Sequence, residues 1–564
     1  MSTYPTSVPP TRPEISSSGP KSRPARWIEL ATSADHKVIG LLLISTAFGS
    51  AFLAALELLL TRAQLAVPEN VFLNAVTFDR LLSVYGTTSI FLVAIPLVLG
   101  LLYYVVPLQI GARSTALPRL GQVGLWMFIF GGFLLYGSFL FTPPEAGINP
   151  LPPFSELAFT PNNGVDVWIG ATGLITLGLL LVAIDLLTTL HKLRAPGMSW
   201  RRAPYFTWAA AIITWLFVTV APIMLAAITM LMLDRRYGGG FFAGSEGGSP
   251  ILWQHLSYIF FTAVYMIIAV GFLAAIAEIV QTFTGRAIHG RNVVIGSLVT
   301  IALVGTLAWT QNMVTAPIPS GWKYYGMIMS ISLIVPFGLI FYNLISTVAA
   351  SDFHMRAPLR FALGALSLAS IGLAVEVVHS TVAIGTQLSE TYDAWAATHF
   401  ALIGFVIFGG FAAISYWYPK MTGVQLNEDR SRISFQVMFL GAVVALLPLF
   451  AAGLEGQVTD SYRFFAGEGL DVWNLISSIG TLILFVGIVL AVGNLIKSRE
   501  EEPAATPDPW GGDSLEWLAL SPPPAHNFDV LPDVRSDRPL QDIREAVQRR
   551  DSEATAPRES QPVA

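Results

Sequence analysis

The chain has 564 residues, 53% of them hydrophobic and only 12% charged. A soluble protein carries about a quarter of its residues as charges, so a water-soluble globular fold is excluded for most of the length. With no cysteine there can be no disulfide, thiolate metal site or iron–sulfur cluster, and the net charge of −5 reflects an acidic surplus after Lys497.

Residues 1–26 are rich in Pro, Ser and Thr and lack the short apolar core of a cleaved signal segment, so they read as a disordered cytoplasmic arm. Twelve apolar stretches follow, each about 20 residues or more, the length needed to cross a bilayer. They lie near 38–60, 82–106, 122–142, 166–190, 205–233 and 251–283, then 293–315, 324–350, 361–386, 394–418, 434–454 and 472–496. The predicted fold is all-α, a polytopic membrane protein with twelve transmembrane helices spread over 27–497. The remaining segment, 498–564, is charged and proline-rich, with Ser521-Pro522-Pro523-Pro524 in it. It reads as a cytoplasmic tail, solvated after Arg535.

An even number of spans puts both termini on one side. Taken alternately, one set of loops holds thirteen Arg and Lys, from Arg113 to Arg432; the other holds only six, Arg62, Arg80, Arg235, Arg236, Lys323 and Arg463. The positive-inside tendency places the richer set, and both termini, in the cytoplasm.

Several stretches in chain order carry a family resemblance. They include Thr61-Arg62-Ala63-Gln64-Leu65, Tyr85-Gly86-Thr87-Thr88, Val106-Pro107-Leu108-Gln109-Ile110-Gly111-Ala112-Arg113 and Leu252-Trp253-Gln254-His255-Leu256. Tyr418-Pro419-Lys420-Met421-Thr422-Gly423, Trp473-Asn474-Leu475-Ile476-Ser477 and Asp508-Pro509-Trp510-Gly511 continue the series. The chain resembles subunit I of the haem-copper respiratory oxidases (cytochrome c oxidase subunit I) over about nine tenths of its length. That resemblance implies twelve helices in three arcs, with two haems and a copper held by histidines in the outer half of the membrane. It also implies the plasma membrane of a prokaryote, contact with the lipid bilayer and with subunits II and III of an oxidase, and no nucleic-acid partner.

Carried over residue by residue, the resemblance places Tyr85 and His399 at the two ligand positions of the low-spin haem. A phenol is a possible iron ligand. Ala397 falls at the ligand position of the oxygen-reactive haem, two residues and so about 200° around the helix from His399. The three copper positions fall on Phe261, Gln311 and Asn312, poor ligands for such a centre. Proton-route positions fall on Ala263, Ile340, Tyr103 and Ser114, and the arginine pair that holds haem propionates falls on Thr459-Asp460. The expected cofactor content is none, with a single low-spin haem as the alternative; no copper or other metal is expected, and no catalytic residue is assigned.

Among other ionisable residues, Glu376 and His379 share one helix face. They form either a proton or ion site or a water-exposed cap near the helix end. Asp185 and Glu278 are expected to reach the headgroup region, His36, His191, His289, His354 and His526 to lie in loops or termini, and His255 to pack structurally. Four readings of function follow: a structural or regulatory subunit of a respiratory oxidase assembly that does not itself reduce oxygen; a one-haem electron-transfer subunit using His399; a transport or proton pathway; and a divergent active terminal oxidase that reduces oxygen and translocates protons. In the first reading the oxidoreductase activity of the family is lost and the chain is a pseudoenzyme of aerobic respiration.

Overall fold

The computed structural model describes Glu29, residues 31–531 and residues 533–555. The arm 1–26 lies outside the described residues. Twelve helices are long and apolar enough to cross a membrane: α1 His36–Gln64, α2 Ala75–Gln109, α3 Pro118–Leu140, α4 Gly164–Lys192, α5 Tyr205–Tyr237 and α6 Pro250–Thr284. The second half supplies α7 Arg291–Met313, α8 Ser320–Ala349, α9 Ala357–His379, α10 Tyr392–Thr422, α11 Glu428–Leu454 and α12 Asp471–Glu501. Among the described residues there is no strand, only two isolated bridges. The fold is all-α, as expected.

Two boundaries differ from the hydropathy reading. Helix α2 begins at Ala75 because the Asn74 side chain accepts the Thr77 N–H at 2.8 Å and caps it. Its first turns carry Thr77, Asp79 and Arg80, whose polarity hides them from an apolar window. Helix α9 stops at His379, and the chain restarts as a short helix, Val382–Leu388.

Burial sorts the helices into layers. The most apolar window of α2 is 94% buried and that of α6 83%, against 28% for α8 and 33% for α3 and α12. Helices apolar on all sides take the centre, so α2 and α6 form the middle of the bundle while α3, α8 and α12 turn most of their surface outward. Helices α11 and α12 pack by backbone approach. A Cβ on Gly480 would meet Ala445 N at 2.2 Å, and one on Gly441 would meet Leu484 N at 2.3 Å. Small residues that let backbones touch supply the dispersion contact that replaces hydrophobic driving force in lipid.

The segment after α12 folds back over the helix ends on the side of His36, Gln109 and Lys420. Leu515, Glu516, Trp517 and Asn527 are buried there. Lys420 Nζ donates to Ala519 O at 2.6 Å and Pro507 O at 3.0 Å, and lies 5.3 Å from the centre of the Trp517 ring. A final helix, Pro539–Thr555, is tied back by ion pairs of Arg538 with Asp513 at 2.7 Å and of Arg544 with Asp508. His36 belongs to this seam and not to a loop. Asp35 caps Lys37 N at 2.9 Å, the helix starts at His36, and its buried ring meets Tyr103 O at 3.1 Å and Asn527 Nδ2 at 2.9 Å.

Candidate functional site

Helices α2 and α10 share a local irregularity. Each relaxes into a π-helical turn, Thr88–Ala94 in α2 and Ile403–Gly409 in α10. Such turns are frequent at functional positions. Tyr85 and His399 each sit about one turn before the π segment of their own helix, and the two face each other.

The Tyr85 hydroxyl is 3.0 Å from His399 Nε2, and His399 Nδ1 is 2.8 Å from Trp395 O. A carbonyl only accepts, so Nδ1 must carry the hydrogen. In the neutral ring Nε2 is then the acceptor and Tyr85 the donor. The Trp395 ring lies over the imidazole, 3.4 Å between centroids and 17° from parallel. Beside the pair is a cavity of about 110 Å³, lined by Ala51, Ala54 and Ala55 of α1, Val406 and Ile407 of α10, and Thr481 and Phe485 of α12.

These residues do not fit a low-spin haem ligated on both sides. Iron between two axial atoms needs them roughly 4 Å apart, twice a metal–nitrogen bond of about 2 Å. Here they are 3.0 Å apart, and the lone pair a metal would take on Nε2 already accepts the Tyr85 hydrogen. The cavity is also smaller than the roughly 300–1,000 Å³ of pockets that take drug-sized ligands. The implied propionate clamp carries the wrong charge: Thr459 bonds Glu390 O through both its N–H at 2.9 Å and its hydroxyl at 3.1 Å. The neighbouring Asp460 is an exposed acid where a propionate would need a base.

The positions implied for the copper lie on two packed elements, α6 and the turn that ends α7, and each side chain has its own ordinary partners. Phe261 packs edge-on against Phe91 and Phe260, centroids 6.0 and 5.7 Å away. Gln311 and Asn312 sit on a short 3₁₀ turn, Trp309–Met313, that ends α7. Asn312 Nδ2 donates to Thr262 Oγ1 at 2.9 Å, and Gln311 Nε2 donates to His379 O at 3.1 Å. Ala397 is fully buried where α9 packs tightly on α10: a Cβ on Gly372 would lie 2.4 Å from Ala397 O. Among the described residues no three His, Asp or Glu side chains are grouped to hold a metal ion.

One sequence expectation needs correction. His379 is not a water-exposed cap: it is buried, and its Nε2 lies 2.6 Å from Asp393 Oδ2 at the start of α10, with Nδ1 unpartnered. Glu376 is exposed on α9 and does not share that burial. Asp185 and Glu278 are held inside the protein. Asp185 is fully buried, accepting the Tyr103 hydroxyl and Leu117 N, and Glu278 accepts Phe206 N at 3.0 Å at the positive N-terminus of α5. Sequence reading also missed Asp393 and Glu57. Asp393 stands in the polar approach to α10, and Glu57 is a single acid inside an apolar run; its position in a span was the available signal.

Comparison with known proteins agrees with this architecture. The described fold is that of a haem-copper terminal oxidase: a cryo-EM structure of such an oxidase dimer superposes with a TM-score of 0.67 over 93% of this chain and 90% of that one, at 12% identity. Residues 38–483 match the family described as Cytochrome C and Quinol oxidase polypeptide I. Cytochrome c oxidase subunit 1 of Bacillus subtilis (strain 168) is 33% identical over 525 residues, covering 92% of this chain and 84% of that protein. A putative cytochrome c oxidase subunit 1-beta of Streptomyces coelicolor is 34% identical with 92% and 90% covered, and quinol oxidase subunit 1 of Bacillus spizizenii is 31% identical with 92% and 81% covered. The chain belongs to the cytochrome c and quinol oxidase subunit I family. It is a multi-pass, cytochrome c oxidase subunit I-like membrane protein.

Proposed function

We propose that this chain is a non-catalytic member of its family, a structural or regulatory subunit of a respiratory oxidase assembly in a prokaryotic plasma membrane, with both termini cytoplasmic. The observation that carries the reading is the state of the ligand positions: Tyr85 donates its hydrogen to the one retained imidazole, His399, while Phe261, Gln311 and Asn312 are satisfied by rings, a hydroxyl and a carbonyl. Reduction of oxygen needs a metal pair and a proton supply together. Of the positions implied for both, Ala397, Phe261, Ala263 and Ile340 hold groups that neither ligate nor titrate.

The twelve-helix framework of the family persists in full, which supports an assembly role over simple decay. The purified protein, given reduced cytochrome c or a quinol, is expected to consume no oxygen above background, and gentle solubilisation is expected to recover it with further oxidase subunits. Cyanide-sensitive oxygen uptake by the isolated chain would overturn the reading. For the one-haem alternative the His399–Tyr85 bond must open by about 1 Å to admit a metal. It predicts a low-spin spectrum lost entirely in His399→Ala.

A further inference from the structure

Arg62 lies in the last turn of α1, in a helix apolar enough to cross a membrane, and its side chain is buried. A guanidinium keeps its charge in any protein environment, so a buried one needs both a counter-charge and acceptors for its N–H groups. Nη2 is fully used, donating to Asn474 O at 3.2 Å and Asn474 Oδ1 at 3.0 Å. The Asn474 amide is itself fixed in this orientation, because its Nδ2 donates to Gln457 Oε1 at 2.9 Å and Leu470 O at 3.1 Å. The other two nitrogens, Nε and Nη1, are buried with no hydrogen-bond partner.

No carboxylate supplies the missing charge. Glu57 stands five residues earlier on the same helix, which turns it about 140° away from Arg62. Asp393, beside Tyr392, is taken by His379 at 2.6 Å. Neither Asp471, one turn before Asn474 on α12, nor any other acid forms an ion pair with Arg62 among the described residues. The Tyr392 ring at the start of α10 has its centre 5.5 Å from Arg62 Cζ, a cation–π contact that brings no net charge. The carbonyls that end α1 offset part of the charge, as they do for any basic residue in a last turn, and leave Nε and Nη1 unmet.

We propose that Arg62 is a binding site for a single-atom anion, chloride, taken by the N–H groups that Asn474 leaves free. The pattern of free donors decides between anion classes. A carboxylate or phosphate is gripped by two parallel N–H groups along one edge of the guanidinium. Each such edge includes Nη2, and Asn474 holds both hydrogens of Nη2. A monatomic ion needs no paired edge, brings the one charge that is missing, and is small enough for a buried position. This inference is independent of whether the chain reduces oxygen.

The first test is the melting temperature of the purified full-length protein in sodium chloride against sodium gluconate at equal ionic strength, since an ion that binds only the folded state raises it by mass action. A rise that saturates with chloride is expected, and Arg62→Met should abolish it. The second is anomalous diffraction from crystals grown in sodium bromide, which is expected to place one bromide within hydrogen-bond distance of Arg62 Nη1 or Nε. Equal melting in the two salts overturns the proposal, as does a chloride response that Arg62→Met retains. So do water alone at Nη1 and Nε in the bromide crystals, or a stabilisation that requires an added anionic lipid and ignores chloride. The bromide measurement uses the wild-type chain, so it decides the matter even where Arg62→Met does not fold.

Discussion

At the tail-covered end of the bundle, the buried ammonium of Lys420 holds two carbonyls of the C-terminal segment and lies over Trp517, while Glu516 accepts from Gln109 at 3.1 Å and Ser514 at 2.8 Å. At the implied copper positions the polar side chains are neutral amides: Asn312, exposed, donates to Thr262, and half-buried Gln311 donates to the His379 carbonyl. The first region spends charge on joining segments distant in sequence. The second holds amides and a phenyl ring where charge and metal would have met.

The largest expected effect lies in the first region. Lys420→Met leaves the buried Ala519 carbonyl and the more exposed Pro507 carbonyl without this donor and removes a charge beside Glu516. Charged hydrogen bonds contribute about 1.5–3 kcal/mol each, so unfolding in detergent should become easier by about 3 kcal/mol and protease should release the tail. A change within error, with the tail still protected, would show that the seam is incidental packing.

Glu516 sharpens the same region through pH. Burial raises its carboxyl above its ordinary 4.5 despite the bonds from Gln109, Ser514 and Trp417. The folded state therefore holds this proton at a pH where the unfolded state has released it. Stability from this group is complete below its ordinary value and falls as pH rises through the folded one. Glu516→Gln should flatten that decline, and a pH–stability curve unchanged by the substitution would remove Glu516 as its source.

The smallest effect is expected at the implied copper positions. Asn312→Leu breaks one neutral bond, and Thr262 can turn its hydroxyl to a carbonyl of its own helix. Interhelical bonds of this kind average about 0.6 kcal/mol in membranes. A loss as large as that of Lys420→Met would mean that the amide supports something beyond local packing, and the contrast between the regions would fail.

Much of this was legible in the sequence, for identifiable reasons. The twelve spans follow from apolar length alone, and Tyr85, His399, Phe261, Gln311, Asn312 and Ala397 could be placed because their flanking stretches are distinctive. The start of α2 was lost because Thr77, Asp79 and Arg80 dilute its apolar signal, while the cap on Asn74 is a single side-chain bond. The π turns after Tyr85 and His399 have no compositional mark. His379 looked like a helix-end residue because its partner, Asp393, comes from the next span. The docking of the tail was hidden because Trp510, Trp517 and Asn527 are scattered through a polar, proline-rich segment and bury only against helix ends distant in sequence.

The central claim, that the ligand core no longer carries oxygen chemistry, is tested most directly by the copper and haem content of the purified protein, read together with a carbon monoxide difference spectrum. The account predicts copper far below one per chain and no carbon monoxide-reactive haem. Copper near one per chain, with a carbon monoxide signal in proportion to the protein, would contradict it.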